Sequence, residues 1–181
     1  MKPWNSISVV MLMGVSAIAL SACEEPKVEA AVFESLQQCI DEPSLSREQC
    51  EQSYGEASSR HVAVAPKYNS EADCQADFGA GKCEQAPYRT TSGGSIFMPL
   101  MMGYMMGSYL GGGRRSVASQ PLYRSADDAK TYRTADNRKA GSTTGRTQIA
   151  SSAASRPSVK SSTLSRGGFG ASGRRFGSAA T

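Results

Sequence analysis

Five cysteines carry the most explicit chemistry in the sequence, and the first of them is Cys23. It follows Leu20-Ser21-Ala22, directly after an apolar stretch from Ile7 to Leu20. Such a stretch behind Met1-Lys2 is typical of an export signal. The Leu-Ser-Ala-Cys sequence matches the lipobox of bacterial lipoproteins, in which this thiol is acylated. We therefore predict a signal peptide over residues 1–22 and lipidation at Cys23.

Two alternatives to a lipidated terminus remain at this stage. A retained membrane helix over residues 7–20 would reach roughly 21 Å, short of the roughly 30 Å hydrocarbon core. Cleavage near Ala22 without lipidation would give a secreted protein. If Cys23 is lipidated, its acyl chains make the membrane anchor nearly permanent. Glu24 stands where inner-membrane lipoproteins usually carry Asp, which favours the outer membrane, with the protein facing the periplasm.

The remaining cysteines, Cys39, Cys50, Cys74 and Cys83, are an even number in an oxidising compartment. Disulfides are the default there, with three connectivities to choose from. An internal duplication favours Cys39 with Cys50 and Cys74 with Cys83, each worth roughly 3 kcal/mol in the chain-entropy model. A metal site that also uses His61 is the alternative, but the spacings lack the C-x2-C pairs of zinc modules.

Methionines form the second group with ligand chemistry. Thioethers are soft ligands for Cu(I), and the five that cluster are Met98, Met101, Met102, Met105 and Met106. No His or Cys joins the cluster, and methionine also packs adaptably without a metal. We therefore predict no metal and no cofactor.

Catalytic patterns are missing from the sequence. It contains no Ser/His/Asp arrangement, no paired catalytic carboxylates and no phosphate-binding loop, and its single histidine, His61, excludes most general-base schemes. We predict that the protein is not an enzyme.

The elements that must position the cysteines lie in an acidic head, residues 32–88, behind a tether over residues 23–31. Two related units, about 33–52 and 68–85, place an aromatic residue, a Ser and a Cys at identical offsets, and each closes on Cys-Glu-Gln. Ser35 and Ser70 are the expected helix N-caps.

Two longer helical signals follow within the head. Ser46 and Gln49 have the capping-box spacing and predict a helix that runs to about Val64, before Pro66. A last helix is predicted from Glu71 to about Phe78, where the sequence Gly79-Ala80-Gly81 ends it. The head is therefore predicted to be small, all-α and stapled by disulfides.

A Gly/Met-rich apolar segment, residues 93–113, is predicted to form a short helix. Gly103, Gly107 and Gly111 recur at every fourth position and would line one helical face. The apolar part would reach only about 22 Å, too short to cross a bilayer. The helix would pack on the head or on a second copy, or it would lie at the membrane interface.

The tail, residues 114–181, is rich in Ser, Gly and Arg and poor in large apolar residues, which predicts disorder. Its arginines are candidates for binding anionic surfaces, the strongest being Arg114, Arg115, Arg166, Arg174 and Arg175. Export argues against nucleic acid as the ligand, although Arg166-Gly167-Gly168-Phe169-Gly170 resembles RNA-binding repeats. A solvated basic linker is the alternative.

Charge divides the chain in the same way. Residues 24–88 carry 13 acidic and 5 basic side chains, and residues 89–181 carry 3 acidic and 14 basic ones. Such blocks attract each other and also attract charged surfaces.

Six motifs are spread through the mature chain in one order. They are Ala65-Pro66-Lys67-Tyr68, Cys83-Glu84-Gln85-Ala86-Pro87, Phe97-Met98-Pro99-Leu100-Met101, Gly103-Tyr104-Met105-Met106-Gly107, Gln120-Pro121-Leu122-Tyr123 and Arg166-Gly167-Gly168-Phe169-Gly170. Together they resemble the YgiB family, a group of envelope proteins from Gram-negative bacteria. The resemblance spans most of the mature chain in one order, and it implies no activity and no catalytic residues.

These features favour a non-enzymatic envelope lipoprotein with a structural or interaction role. Its expected partners are the membrane, reached through the lipid anchor, anionic lipid or lipopolysaccharide, and a second copy of the chain. The alternative is a periplasmic protein that handles copper or thiol redox chemistry through the methionines or a labile cysteine pair.

Overall fold

The computed structural model describes residues 25–107, 117–160, 163 and 168–170. Strands and helices follow one another within them in this order: β1 Lys27–Phe33, α1 Leu36–Ile40, α2 Arg47–Val64, α3 Glu71–Phe78, β2 Cys83–Arg89, β3 Ser95–Pro99, β4 Gly103–Met106, β5 Gln120–Ser125, β6 Asp128–Arg133, β7 Lys139–Gly141, β8 Gly145–Ala150 and α4 Ser151–Ala154.

Six of the strands form an antiparallel sheet in the order β7-β6-β5-β4-β1-β8. The first strand therefore lies inside the sheet, where Ala31 faces Met106 of β4 on one side and Arg146 of β8 on the other. The edge strands β7 and β8 contact each other, and only residues 142–144 separate them in sequence. The sheet is thus almost closed.

The interior of this sheet is one hydrophobic cluster to which every strand contributes. It contains Ala30, Val32, Met105, Leu122, Tyr132, Ala140 and Ile149, with Val117 and Ala153 of α4. The outer face of β1 and β4 packs against α1 and α2 through Ala31, Phe33, Tyr104 and Met106. Residues of β1 and β4 alternate between the two clusters, as the period of two in a strand requires.

A two-stranded sheet, β2-β3, lies beside the larger one. Its register places Cys83 opposite Pro99 and Gln85 opposite Phe97. The backbone of Tyr68 bridges to Phe97 on the other side of β3. A third hydrophobic cluster, which includes Tyr68, Phe78 and Tyr123, joins this sheet to α3 and β5.

The helix signals in the head are confirmed. Ser46 and Gln49 form a complete capping box at the start of α2, which ends at Val64, two residues before Pro66. Ser70 caps α3, which ends at Phe78, before Gly79 with a φ of 99°. Ser35 accepts a hydrogen bond from the backbone N–H of Gln38 and caps α1. These contacts are local, so they can be read from a few neighbouring residues.

The predicted fold class is wrong, because the structure is mostly β. Residues 27–33, assigned partly to a tether, form a strand inside the sheet, and its last four residues are buried. Phe33, the aromatic residue of the first related unit, ends this strand. The apolar part of this strand, Ala30 to Phe33, spans too few positions to separate a strand from a linker without its partners.

The predicted Gly/Met-rich helix is also wrong, since the described part of residues 93–113 forms β3 and β4. Met105 and Met106 lie in different clusters on opposite faces of β4. The apolar run is therefore explained by burial of both faces of a strand, and a continuous apolar run does not distinguish that case from a buried helix.

The predicted disorder of residues 114–181 is wrong for most of that segment. Strands β5 to β8 and α4 lie within it, and five of the six residues of β5 are buried. Few large apolar residues suffice because Leu122, Tyr132 and Ile149 pack against β1 and β4 rather than against one another alone. None of the helices in the described ranges has the length and apolar character needed to cross a membrane.

Candidate binding site

The floor of the candidate site is the buried carboxylate of Asp77, in the last turn of α3. Its Oδ2 accepts hydrogen bonds from the hydroxyl of Tyr68 at 2.8 Å and from the backbone N–H groups of Gly168 at 3.0 Å and Phe169 at 3.1 Å. Hydrogen bonds to a carboxylate are about twice as strong as neutral ones. Asp77 therefore holds a segment that lies 91 and 92 positions further along the chain.

Aromatic rings form the walls of the site. The ring of Phe169 is 2% exposed, and its centroid lies 4.8 Å from that of Phe78 and 6.1 Å from that of Tyr123. The Tyr123 contact is edge-to-face, at 83°. Tyr68 packs edge-on against Phe78 from behind. Such pairs contribute about 0.5–1.5 kcal/mol each beyond the area they bury.

Asn137 closes the site from the opposite side, in the turn between β6 and β7. Its Nδ2 donates to the carbonyl oxygen of Gly170 at 2.8 Å, and its Oδ1 accepts from the N–H of Gly170 at 3.2 Å. The φ of Asn137 is 60°, the left-handed conformation that asparagine tolerates better than most residues. The turn geometry thus aims a carboxamide at the peptide unit of Gly170.

Only glycine fits at position 170. Its φ is 77°, and a Cβ placed there would stand 2.4 Å from Oδ1 of Asp127 and 2.9 Å from Cβ of Ser125. The site therefore selects Phe by its rings and the following Gly by its lack of space. We call the residues Asp77, Phe78, Tyr123 and Asn137 the Phe-Gly pocket.

His61 of α2 contacts the pocket through Tyr123. Its Nδ1 lies 3.0 Å from the hydroxyl oxygen of Tyr123, and its Nε2 lies 3.2 Å from Oε1 of Glu84. Burial lowers the pKa of His61, although Glu84 opposes that shift, and burial raises the pKa of Tyr123 well above its ordinary value. Both groups are therefore neutral near pH 7, and both ring nitrogens of His61 are engaged.

An open cleft of about 360 Å³ runs beside the docked segment. Lys67, Asn137, Lys160 and Gly168 are among its lining residues. The ammonium group of Lys67 donates to the carbonyl oxygens of Ala63 and Lys160, and burial lowers its pKa. Lys67 thus holds the chain in place shortly before it enters the Phe-Gly pocket.

The predicted disulfides are confirmed. Cys39 is bonded to Cys50, and Cys74 is bonded to Cys83. The second bond ties α3 to the start of β2 and so holds the helix that carries Asp77. The two related units share a serine-capped helix and a disulfide, but the second cysteine lies in a helix in one unit and in a strand in the other.

The glycines assigned to helix packing have another role where they are described. A Cβ on Gly103 would stand 2.8 Å from the carbonyl oxygen of Phe33, and one on Gly107 would stand 2.1 Å from Cβ of Val117. Their absent side chains allow close approach within the folded body, so the groove expected along one helix face does not form.

The methionines do not converge. Met98, Met105 and Met106 belong to three different hydrophobic clusters. Among the described residues, no group of three or more His, Cys, Asp or Glu side chains is arranged to hold a metal ion.

Several predicted positions cannot be placed on this structure. The signal peptide (residues 1–22), Cys23, Gly111, Arg114, Arg115, Arg166, Arg174 and Arg175 lie outside the described residues.

Sequence reasoning missed the pocket but noticed its occupant. Arg166-Gly167-Gly168-Phe169-Gly170 was interpreted through its arginine as a surface-binding repeat, whereas Phe169 and Gly170 dock inside the protein. The signal that could have found this role was the recurrence of Phe-Gly in a chain with few aromatics. Asp77 and Asn137 gave no signal, because an acid in a helix and an asparagine in a turn are ordinary.

Comparison with known proteins supports the motif resemblance. The model of a family described as a protein of unknown function (DUF1190) matches residues 27–179. A UPF0441 protein of Erwinia tasmaniensis is 34% identical, a match that covers 94% of this chain and 84% of the relative. UPF0441 proteins of Yersinia pestis and Klebsiella pneumoniae are 35% and 31% identical over the same shares. No solved structure matches the chain. The resemblance to the YgiB family is confirmed, and the chain belongs to this DUF1190 family of UPF0441 proteins.

Proposed function

We propose that this protein is a lipid-anchored interaction protein of the bacterial cell envelope, which acts by binding rather than by catalysis. In this proposal Cys23 tethers it to the outer membrane, facing the periplasm, and its C-terminal arginines contact anionic lipid or lipopolysaccharide. The observation that carries the proposal is the docking of Gly168–Gly170 in the Phe-Gly pocket.

Docking fixes where the basic segment meets the body. Arg166 stands two residues before Gly168, and Arg174 stands four residues after Gly170. At about 3.5 Å per residue, neither α-carbon can lie further than roughly 14 Å from the docked segment. A surface that binds these arginines would therefore lie within reach of the docked segment.

The other end of the chain supports a short tether. Strand β1 begins at Lys27, four residues after Cys23, so an acyl chain on that thiol would hold the sheet close to the bilayer. Two disulfides suit an oxidising compartment such as the periplasm.

A binding role also agrees with the state of His61. The chain has one histidine, and it is 7% exposed, with both ring nitrogens engaged by Tyr123 and Glu84. Use of this imidazole as a general base toward another group would require its contact with Tyr123 to break, because the Nδ1 lone pair is engaged there.

Vesicle sedimentation tests the proposed contact with anionic lipid. The mature chain with Cys23→Ser, which removes the lipid, should sediment with phosphatidylglycerol vesicles at low salt and be released at high salt. Arg174→Gln with Arg175→Gln should weaken this binding, whereas a Lys82→Gln variant, changed on the turn before β2, should not. Equal binding of the double variant and the parent, or equal binding to phosphatidylcholine vesicles, would contradict the role of the arginines.

Mass spectrometry tests the anchor separately. Protein from its native host should lack residues 1–22 and carry acyl chains on Cys23. An intact leader or an unmodified thiol would contradict the tether without affecting the vesicle result.

A further inference from the structure

The Phe-Gly pocket has the properties of a peptide-recognition site rather than of an ordinary stretch of core. It binds the backbone of the docked segment as well as its side chain. Asp77 accepts hydrogen bonds from two consecutive N–H groups, and Asn137 bonds both the N–H and the carbonyl oxygen of Gly170. Its rings accept a phenylalanine, and Asp127 and Ser125 exclude any Cβ at the next position. What it recognises is therefore the dipeptide Phe-Gly with its glycine at a positive φ.

Besides Phe78-Gly79, whose ring is a wall of the pocket, the chain contains two further Phe-Gly dipeptides that could enter this pocket. Phe169-Gly170 occupies it, and Phe176-Gly177 follows seven residues later, outside the described residues. One pocket per chain cannot hold both. Phe176-Gly177 is thus a second ligand of the same chemistry for this pocket.

The docked segment also has open space beside it. Among the described residues that precede it, Lys160 donates its backbone N–H to the carbonyl oxygen of Ala63 at 3.0 Å. Beside Gly168 and Phe169 the cleft of about 360 Å³ is open, which leaves room for the residues that flank an incoming Phe-Gly.

We infer that the Phe-Gly pocket binds Phe176-Gly177 of a second copy of this chain when Phe169-Gly170 withdraws. The incoming segment would make the same contacts with Asp77, Phe78, Tyr123 and Asn137 that Phe169-Gly170 makes within one chain. Exchange of identical contacts between copies is a low-cost route to assembly, and a reciprocal exchange closes on two copies. This inference does not depend on lipidation or on anionic lipid.

Photocrosslinking between isotopically distinct copies tests the inference. Full-length protein with p-benzoylphenylalanine in place of Phe176 is prepared in light and heavy forms, mixed and irradiated, and the crosslinked peptides are identified by mass spectrometry. We expect light-to-heavy crosslinks from position 176 to peptides that contain Phe78 or Tyr123. Crosslinks within one copy only, crosslinks to other surfaces, or none would each overturn the inference.

Two matched proteins keep the experiment decisive. The same probe at position 169 should crosslink to Phe78 or Tyr123 within one copy, which shows that the pocket is intact. Adding Gly177→Ala to the protein with the probe at 176 should reduce the intermolecular crosslinks by roughly tenfold or more, because that Cβ has no space in the pocket. Undiminished crosslinking in Gly177→Ala would show that the contact is not recognition by this pocket.

Discussion

Gly170 cannot be replaced by a larger residue without strain, because its neighbours leave no room for a side chain. Asp127 and Ser125 crowd the position, and its positive φ disfavours any residue with a Cβ. Its carbonyl oxygen and N–H both bond Asn137. Recognition of the Phe-Gly dipeptide thus depends on the backbone of Gly170, which lies between the turn after β5 and the turn that carries Asn137.

Substitution of this glycine should destabilise the protein. We expect Gly170→Ala to lower the free energy of unfolding by roughly 1–3 kcal/mol, through backbone strain and loss of the docked segment. Urea denaturation followed by circular dichroism measures the change. Gly55→Ala is the control, since nothing lies within 4 Å of its Cβ position in α2; it should raise stability by up to about 1 kcal/mol. Unchanged stability in Gly170→Ala would show that position 170 is not confined.

His61 makes the stability of the protein dependent on pH. Burial lowers the pKa of its imidazole below the ordinary value, and Glu84 opposes that shift. Below about pH 6.5 the unfolded chain binds a proton that the folded protein resists, so the free energy of unfolding should fall as the pH decreases from there.

Urea denaturation between about pH 7.5 and pH 5.5 measures this effect. In this range carboxylates with ordinary or lowered pKa values stay ionised in both states. The decline should be smaller in His61→Gln, which cannot gain a proton. Equal pH dependence in both proteins would assign the effect to another group.

At the scale of elements, α3 is the piece that assembles the Phe-Gly pocket. It carries Asp77 and Phe78 at its C-terminal end, and the bond from Cys74 to Cys83 fixes it against β2. The backbone carbonyl of Asp77 also accepts from the N–H of Ala126, which joins the helix to the turn after β5. The docked segment therefore depends on this one helix being in place.

Removal of the two disulfides should have different consequences for the C-terminal segment. Each Cys→Ser pair should lower the free energy of unfolding by roughly 3 kcal/mol. Loss of the Cys74–Cys83 bond should also release the docked segment and speed trypsin cleavage at Arg166, whereas loss of the Cys39–Cys50 bond, away from the pocket, should not. Equal cleavage rates in the two variants would contradict the role assigned to α3.

The elements differ in how far the sequence predicts them. The helices of the head were predictable because Ser35, Ser46 and Ser70 cap them locally. The strands were not, because β1 pairs with β4 and β8, partners about 70 and 120 residues away, and a run of Gly and Met fits a strand buried on both faces as well as a helix. The disulfide pairing was predictable since the duplicated units kept each pair within its own unit.

At the scale of the whole molecule, the acidic and basic halves of the sequence build one fold. Strand β1 belongs to the acidic half, and its neighbour β8 belongs to the basic half. Arg124 bonds Glu34 at 2.8 Å across the same division. Composition suggested a head and a separate tail because it is counted along the sequence. It does not show which distant residues pair with one another in the folded chain. The tail needed no core of its own, since it completes the interior that β1 and β4 begin.

Amide hydrogen exchange of the folded protein tests the central claim, that the C-terminal Phe-Gly segment is part of this single fold. The N–H of Phe169, which donates to Asp77, and the sheet amides of β1 and β8 should all exchange slowly. Exchange at the rate of an unstructured peptide throughout residues 168–170, while β1 and β8 stay protected, would contradict the account.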